Sequence, residues 1–111
     1  MRILLTGVTG YIGKRLLPVL LEQGHDVICC VRDKDRFDPS AILGGHVQVI
    51  EVDFLDKESL KNIPLEIDIA YFLIHSMATQ SGDFQQMEAE CANNFRNIIE
   101  KTNAQQIIYL S

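Results

Sequence analysis

The sequence predicts an α/β domain built on a doubly wound parallel sheet of five strands in the order 3-2-1-4-5. Three observations carry this expectation. Short, nearly continuous apolar runs recur at Ile3 to Leu5, Asp26 to Val31, Val47 to Val52, Ile67 to Ile74 and Gln106 to Leu110, and such runs belong to strands covered on both faces. Helical patterns alternate with them, which gives a parallel sheet with right-handed crossovers. Lastly, the glycine-rich stretch Thr6-Gly7-Val8-Thr9-Gly10-Tyr11-Ile12-Gly13 lies where the first strand ends and the first helix begins. In a sheet of this order a ligand belongs at the reversal point, outside the carboxyl ends of strands one and four.

The first helix is expected from Tyr11 to Gln23, with Ile12, Leu16, Leu17, Val19, Leu20 and Leu21 on its buried face and Gly24 ending it. Pro18 removes one amide inside that helix and predicts a mild kink. After strand two, the connection from Arg32 to Gly45 is thin, with room for only a helical turn at Ser40 to Leu43. Asp56 reads as the N-cap of a brief helix through Asn62, closed by Pro64. A polar loop from His75 to Gly82 follows strand four. The second long helix, Asp83 to about Thr102, places Phe84, Met87, Cys91, Phe95, Ile98 and Ile99 on one core stripe. Its outer face, with Gln85, Glu88, Glu90, Asn93, Arg96, Asn97 and Lys101, reads as solvated surface.

The 111 residues make room for one domain, residues 1–111, burying about 65% of its unfolded surface, with no second substrate domain. A net charge of -5 with interspersed signs argues against a nucleic-acid-binding surface and provides no basic patch for a membrane. No apolar run approaches the ~18 residues of a spanning helix, and the chain enters a strand at once without a signal-peptide pattern, so the expected compartment is the cytoplasm. Cys29, Cys30 and Cys91 read as plain buried thiols. His25 and His46 fall in turns without a second ligand at metal spacing, so no metal site is expected.

The glycine stretch reads as a phosphate cradle. A strand turning directly into a helix bends sharply, and Gly7 can take the positive φ or close approach that the bend needs. Gly10 would let a pyrophosphate lie against bare backbone, and Gly13 would let the helix pack closely on the strand. The first-turn amides lack intrahelical partners and carry the positive end of the helix dipole, so a diphosphate needs little side-chain help there.

These residues carry a family resemblance. Thr6 to Gly13 resembles the TGxxGxxG fingerprint of the short-chain dehydrogenase/reductases, and Gly10-Tyr11-Ile12-Gly13-Lys14 is similar to its extended and atypical members, the NmrA-like and isoflavone-reductase-like group. The likeness continues through Gly24-His25-Asp26-Val27, Val31-Arg32, Val52-Asp53, Leu73 to Met77 and Ile107 to Ser111. It implies a Rossmann fold, of which this chain would be the N-terminal portion, and a nicotinamide dinucleotide cofactor held by Gly7, Thr9, Gly10, Tyr11, Ile12 and Gly13. Counting from Gly24-His25, the position of the NAD-selecting acid holds Val31, and Arg32 follows, which favours NADP over NAD because a guanidinium pairs with a 2′-phosphate. Asp33 competes from one residue off that register, and Arg32 also reads as a loop cation. Lys14 stands where it would neutralise phosphate or simply face solvent. Asp53 and Phe54 resemble the pair flanking the adenine amino group, although Asp53 reads equally as a turn acid ahead of Asp56. His75 and Ser76 follow strand four where the family lines the cofactor groove.

Catalysis is where the pattern departs. The family's Tyr-x-x-x-Lys pair, in which the lysine lowers the tyrosine pKa for proton exchange, is absent: Arg15 follows Tyr11, His75 follows Tyr71, and Tyr109 has no residue 113. No catalytic residue is assigned. The resemblance therefore implies the NADP(H)-binding portion of an oxidoreductase or epimerase-like parent that does not turn over alone. The alternative is a non-catalytic interaction or redox-sensing module. Self-association is expected through the sheet face beside strands four and five, carried by Ala70, Phe72 and Ile74 or by Ile69, Tyr71 and Leu73, or through the strand-five edge.

Overall fold

The computed structural model describes residues 1–7, 11–33, 35, 47–73 and 82–110. The strands are β1 (Arg2–Thr6), β2 (Asp26–Val31), β3 (Val47–Glu51), β4 (Ile69–Leu73) and β5 (Gln106–Leu110). Two helices, α1 (Tyr11–Glu22) and α2 (Gly82–Ile99), and a 3₁₀ helix at Ser59–Asn62 complete the described elements. The sheet runs β3-β2-β1-β4-β5 with each neighbouring pair parallel, as the alternation of apolar runs and helical patterns predicts.

Alternation along the strands divides the core into two layers. Ile3, Leu5, Val27, Cys29 and Val31 face α1 and pack with its Leu17 and Leu20. Leu4, Ile28, Cys30, Ala70 and Phe72 face the opposite side, where Phe95 and Ile99 of α2 and Leu60 of the 3₁₀ helix cover them. Because both faces of β1 and β2 are covered, their runs need no polar alternation.

Gly13, Leu17 and Leu20, spaced four and three residues apart, are the buried positions of α1, and the two leucines pack on the sheet with Leu16 and Leu21 half-buried beside them. Ile12 and Val19 are 41% and 46% exposed, so the expected buried face is narrower than the apolar content of the helix. Each stands one residue, about 100° of helix turn, away from that stripe. The helix accommodates Pro18 on its exposed side. It ends one residue earlier than expected, in a Schellman arrangement: the Gly24 N–H donates to Leu21 O at 3.0 Å and the His25 N–H to Leu20 O at 3.2 Å. Gly24 takes a φ of 84°, the left-handed conformation that this cap requires.

The turn after β3 is tighter than the predicted helix. Asp56, expected as the N-cap, instead closes a turn ahead of the helix, its Oδ1 accepting the Glu58 N–H at 3.1 Å; the 3₁₀ helix has Glu58 at its N-cap and no side-chain cap bond. α2 begins at Gly82 and ends at Ile99, where the Thr102 hydroxyl donates to the Ile99 carbonyl at 2.6 Å and stops the last turn short of the expected end. On its stripe, Phe95 and Ile99 are buried and Cys91 and Ile98 half-buried; the side chains of Phe84 and Met87 lie outside those described. Ala70 and Phe72, offered in the sequence as one possible bare face, are buried beneath α2. The expected helical turn at Ser40 to Leu43, the turn histidine His46 and the end of strand four at Ile74 lie outside the described residues.

Candidate functional site

Parallel strands place all their carboxyl ends on one rim. Gly7 follows β1, Arg32 follows β2, Asp53 and Phe54 follow β3, and Leu73 closes β4. With neighbouring strands about 4.8 Å apart, Arg32 and Asp53 stand one and two strands from Gly7 on that rim.

Gly7 combines both properties expected of it. Its φ is 69°, and a Cβ built there would lie 2.7 Å from the Leu73 carbonyl oxygen and 2.9 Å from the Leu73 Cβ. The chain therefore leaves β1 by pressing bare backbone against the end of β4, which is possible only without a side chain.

Thr6, just before it, has a role that its sequence context does not assign. Its buried hydroxyl donates to the Tyr71 carbonyl at 3.0 Å and accepts the Leu73 N–H at 3.1 Å. The paired register of β1 and β4 runs from Ile3 with Ile69 to Leu5 with Tyr71. At Thr6 the hydroxyl takes over as the bridge to the next β4 groups, so the strands remain tied where the turn departs. A threonine at the carboxyl end of an otherwise apolar strand was the available signal.

At the first turn of α1, Tyr11 is the first helical residue, Ile12 is exposed and Gly13 is buried. Lys14 is exposed. Arg32 is exposed at the end of β2. The neighbouring Asp33 turns back on its own chain, where its Oδ1 accepts the Asp35 N–H at 3.0 Å. Thr9, Gly10, His75 and Ser76 lie outside the described residues.

The turn after β3 is heavily braced. Asp53 Oδ1 accepts the Leu55 N–H at 3.0 Å, the bond expected of a turn acid. The Asp53 N–H donates to Ser59 Oγ, and that hydroxyl lies 2.9 Å from the Asp53 carbonyl and 2.8 Å from the Asp56 carbonyl, both of which can accept its proton. Phe54 directs its ring into the α2-side core, in edge contact with Phe72 and Phe95 at centroid distances of 5.9 and 5.6 Å. Its carbonyl accepts a hydrogen bond from Asn94 Nδ2 at 2.5 Å. Asn94 was also unassigned, and its signal was a polar residue at helical spacing between Cys91 and Ile98 on an apolar stripe.

Cys29 and Cys30 are buried, and burial pushes the Cys29 thiol up to about 12 and that of Cys30 higher still. Thiols held protonated in this way are poor nucleophiles and metal ligands. Among the described residues, no group of three His, Cys, Asp or Glu side chains is placed to hold a metal ion, and no helix is long and apolar enough to cross a membrane.

A parallel sheet of this order, with a positive-φ glycine pressed against β4 at the first turn, defines a Rossmann-type domain. The chain belongs to the NAD dependent epimerase/dehydratase family, whose model matches residues 3–111. Its resemblance to the extended and atypical short-chain dehydrogenase/reductases stands with that assignment. Photosystem II assembly factor Ycf39 of Synechocystis is 28% identical over 116 residues, covering 100% of this chain and 33% of that protein. Bifunctional pinoresinol-lariciresinol reductase of Linum usitatissimum is 30% identical over 88 residues, covering 72% of this chain and 28% of the reductase. Among solved structures, the triphenylmethane reductase of Citrobacter, complexed with NADP(H), superposes with a TM-score of 0.74 at 19% identity, covering 100% of this chain and 37% of that one. The chain thus spans about a third of the length of the curated relatives it matches.

Proposed function

We propose that this chain binds NADP(H) through the adenosine diphosphate half of the cofactor. The pyrophosphate lies over the Gly7 turn and the first turn of α1, Arg32 pairs with the 2′-phosphate, and Asp53 accepts from the adenine amino group. Thr9, Gly10 and His75 complete the groove in this reading. The observation that carries it is Gly7: a left-handed glycine whose missing side chain lets backbone run against Leu73 at the reversal point of the sheet. Family membership supports a nicotinamide dinucleotide, and the NADP(H) complex of a structural neighbour supports the phosphorylated form. Asp33 adds support, because its carboxylate is engaged with the Asp35 backbone while Arg32 stands exposed beside it.

The parent activity is that of an oxidoreductase or epimerase. Within these 111 residues no tyrosine is followed four residues later by lysine, so the chain by itself does not turn over in this reading.

A non-catalytic interaction module is the second reading, favoured by the relative named as an assembly factor and by one surface. On the α1 side of β4 and β5, Ile69, Tyr71 and Ile108 form a half-buried apolar row, and β5 stands at the sheet edge. Self-association of the chain would use that row or that edge.

Titration calorimetry of NADPH and NADH, side by side into wild type and Arg32→Ala, separates the readings. Preference for NADPH of about tenfold or more, lost in the variant, is the expected result, since a charged pair contributes roughly 1.5–3 kcal/mol. Equal affinity for the two cofactors in wild type contradicts the assignment of Arg32. No heat with either, from a chain that sediments as an oligomer in the same buffer, favours the interaction module.

A further inference from the structure

We propose that Asn94 is a positioning residue for base recognition: by holding the Phe54 carbonyl from α2, it fixes the turn that presents Asp53 to the adenine ring. This rests on the dinucleotide reading above and assigns a function to a residue far from the glycine turn in sequence.

Asn94 is 7% exposed and lies among Cys91, Phe95, Ile98 and Ile99, a stripe where an aliphatic side chain would fill the space without a polar group to satisfy. Burying an amide there is unfavourable unless it is hydrogen-bonded. Its Nδ2 reaches one backbone carbonyl, that of Phe54, 40 residues away in sequence. The carbonyl belongs to the turn that leaves the sheet at the ligand rim, outside the β-ladder, so no strand neighbour fixes its orientation.

Two further devices converge on the same turn. The Phe54 ring is locked between Phe72 and Phe95, and Ser59 Oγ bridges the Asp53 N–H and the Asp56 carbonyl. Together they fix the backbone on both sides of the Asp53 side chain. No cation pairs with the Asp53 carboxylate among the described residues, which leaves it able to accept from a ligand. An amine donor on a base is then read by an acceptor whose position is set by α2. An unbraced turn would let that acceptor wander, and hydrogen-bond discrimination decays steeply with misalignment.

The test compares NADPH with its hypoxanthine analogue, in which the exocyclic amino group is replaced by a carbonyl oxygen. Both are titrated into wild type, Asn94→Leu and Ser59→Ala, with the unfolding transition of each variant recorded. Wild type is expected to prefer NADPH by about tenfold or more. Asn94→Leu keeps the volume and loses the donor, and its preference should fall to within about twofold while the 2′-phosphate preference over NADH persists. Ser59→Ala should also lower the base preference, and it keeps the proposal falsifiable should Asn94→Leu fail to fold. A folded Asn94→Leu with undiminished base preference overturns the proposal, as does undiminished preference in Ser59→Ala. Wild type that binds NADPH but does not distinguish the analogue overturns it while leaving the dinucleotide reading intact. Absence of NADPH binding by wild type overturns both.

Discussion

Gly7 shows how one residue can be required twice. An alanine there would meet a backbone φ of 69° and a carbonyl oxygen 2.7 Å from its Cβ. The first costs roughly 1–2 kcal/mol and the second, as overpacking against main chain, about 1–3 more. Gly7→Ala should therefore lose about 3 kcal/mol of stability in urea denaturation. Gly24→Ala is the matched comparison, because Gly24 also has positive φ but nothing within 4 Å of where a Cβ would stand, and it should lose only about 1 kcal/mol. Equal losses at both positions would mean that the approach to Leu73 contributes nothing. At this scale the sequence was legible where residue type implied backbone geometry, as for Gly7 and Gly24. It was silent where a polar side chain serves a distant backbone group. Thr6 and Asn94 bond to residues 65 and 40 positions away, and no local pattern states those partners.

Elements were legible to the extent that periodicity sets them. β2 and β5 have the limits that their apolar runs predict, and α2 begins within a residue of its expected start. The buried face of α1 was drawn too wide, because an apolar helix does not say which of its apolar residues meets the sheet, and Ile12 and Val19 turned outward. Helix ends were set by capping chemistry, Gly24 in α1 and the Thr102 hydroxyl after α2, with only the former predicted.

β2 supplies a prediction as an element, since its two thiols point to opposite faces and both faces are covered. In the unfolded chain a thiol ionises near 9.0, whereas folded Cys29 does so only near 12 and Cys30 higher. Between those limits the folded state binds more protons than the unfolded one, so stability is fully present below pH 9 and falls as pH rises toward 12. From about pH 8 to 10 the loss should be about 1 kcal/mol for each thiol, read as a decreasing urea midpoint. Replacing both cysteines by alanine should remove that share of the slope; an unchanged slope would contradict burial of the pair.

For the whole molecule, the informative property is that five parallel strands gather Gly7, Arg32 and Asp53 on one rim although 46 residues separate the first from the last. The sheet order and the location of that rim were readable in advance, because crossover handedness leaves few arrangements for this succession of elements. What the rim offers was readable only as chemistry: a glycine turn without a side chain, a guanidinium one strand over, a carboxylate two strands over. The opposite prospect, an assembly surface, lies on the α1 side of β4 and β5 at Ile69, Tyr71 and Ile108, of which Tyr71 stands nearest the glycine turn, its carbonyl bonded to the Thr6 hydroxyl.

The two surfaces can be distinguished in one measurement, amide chemical-shift mapping of the nitrogen-labelled chain titrated with NADPH. Binding across the reversal point predicts shifts concentrated at Gly7, Ile12, Gly13, Arg32, Asp53 and Phe54, with Ile69 and Ile108 unmoved. Shifts centred on Ile69, Tyr71 and Ile108, or none at saturating NADPH, would contradict a dinucleotide site at the glycine turn.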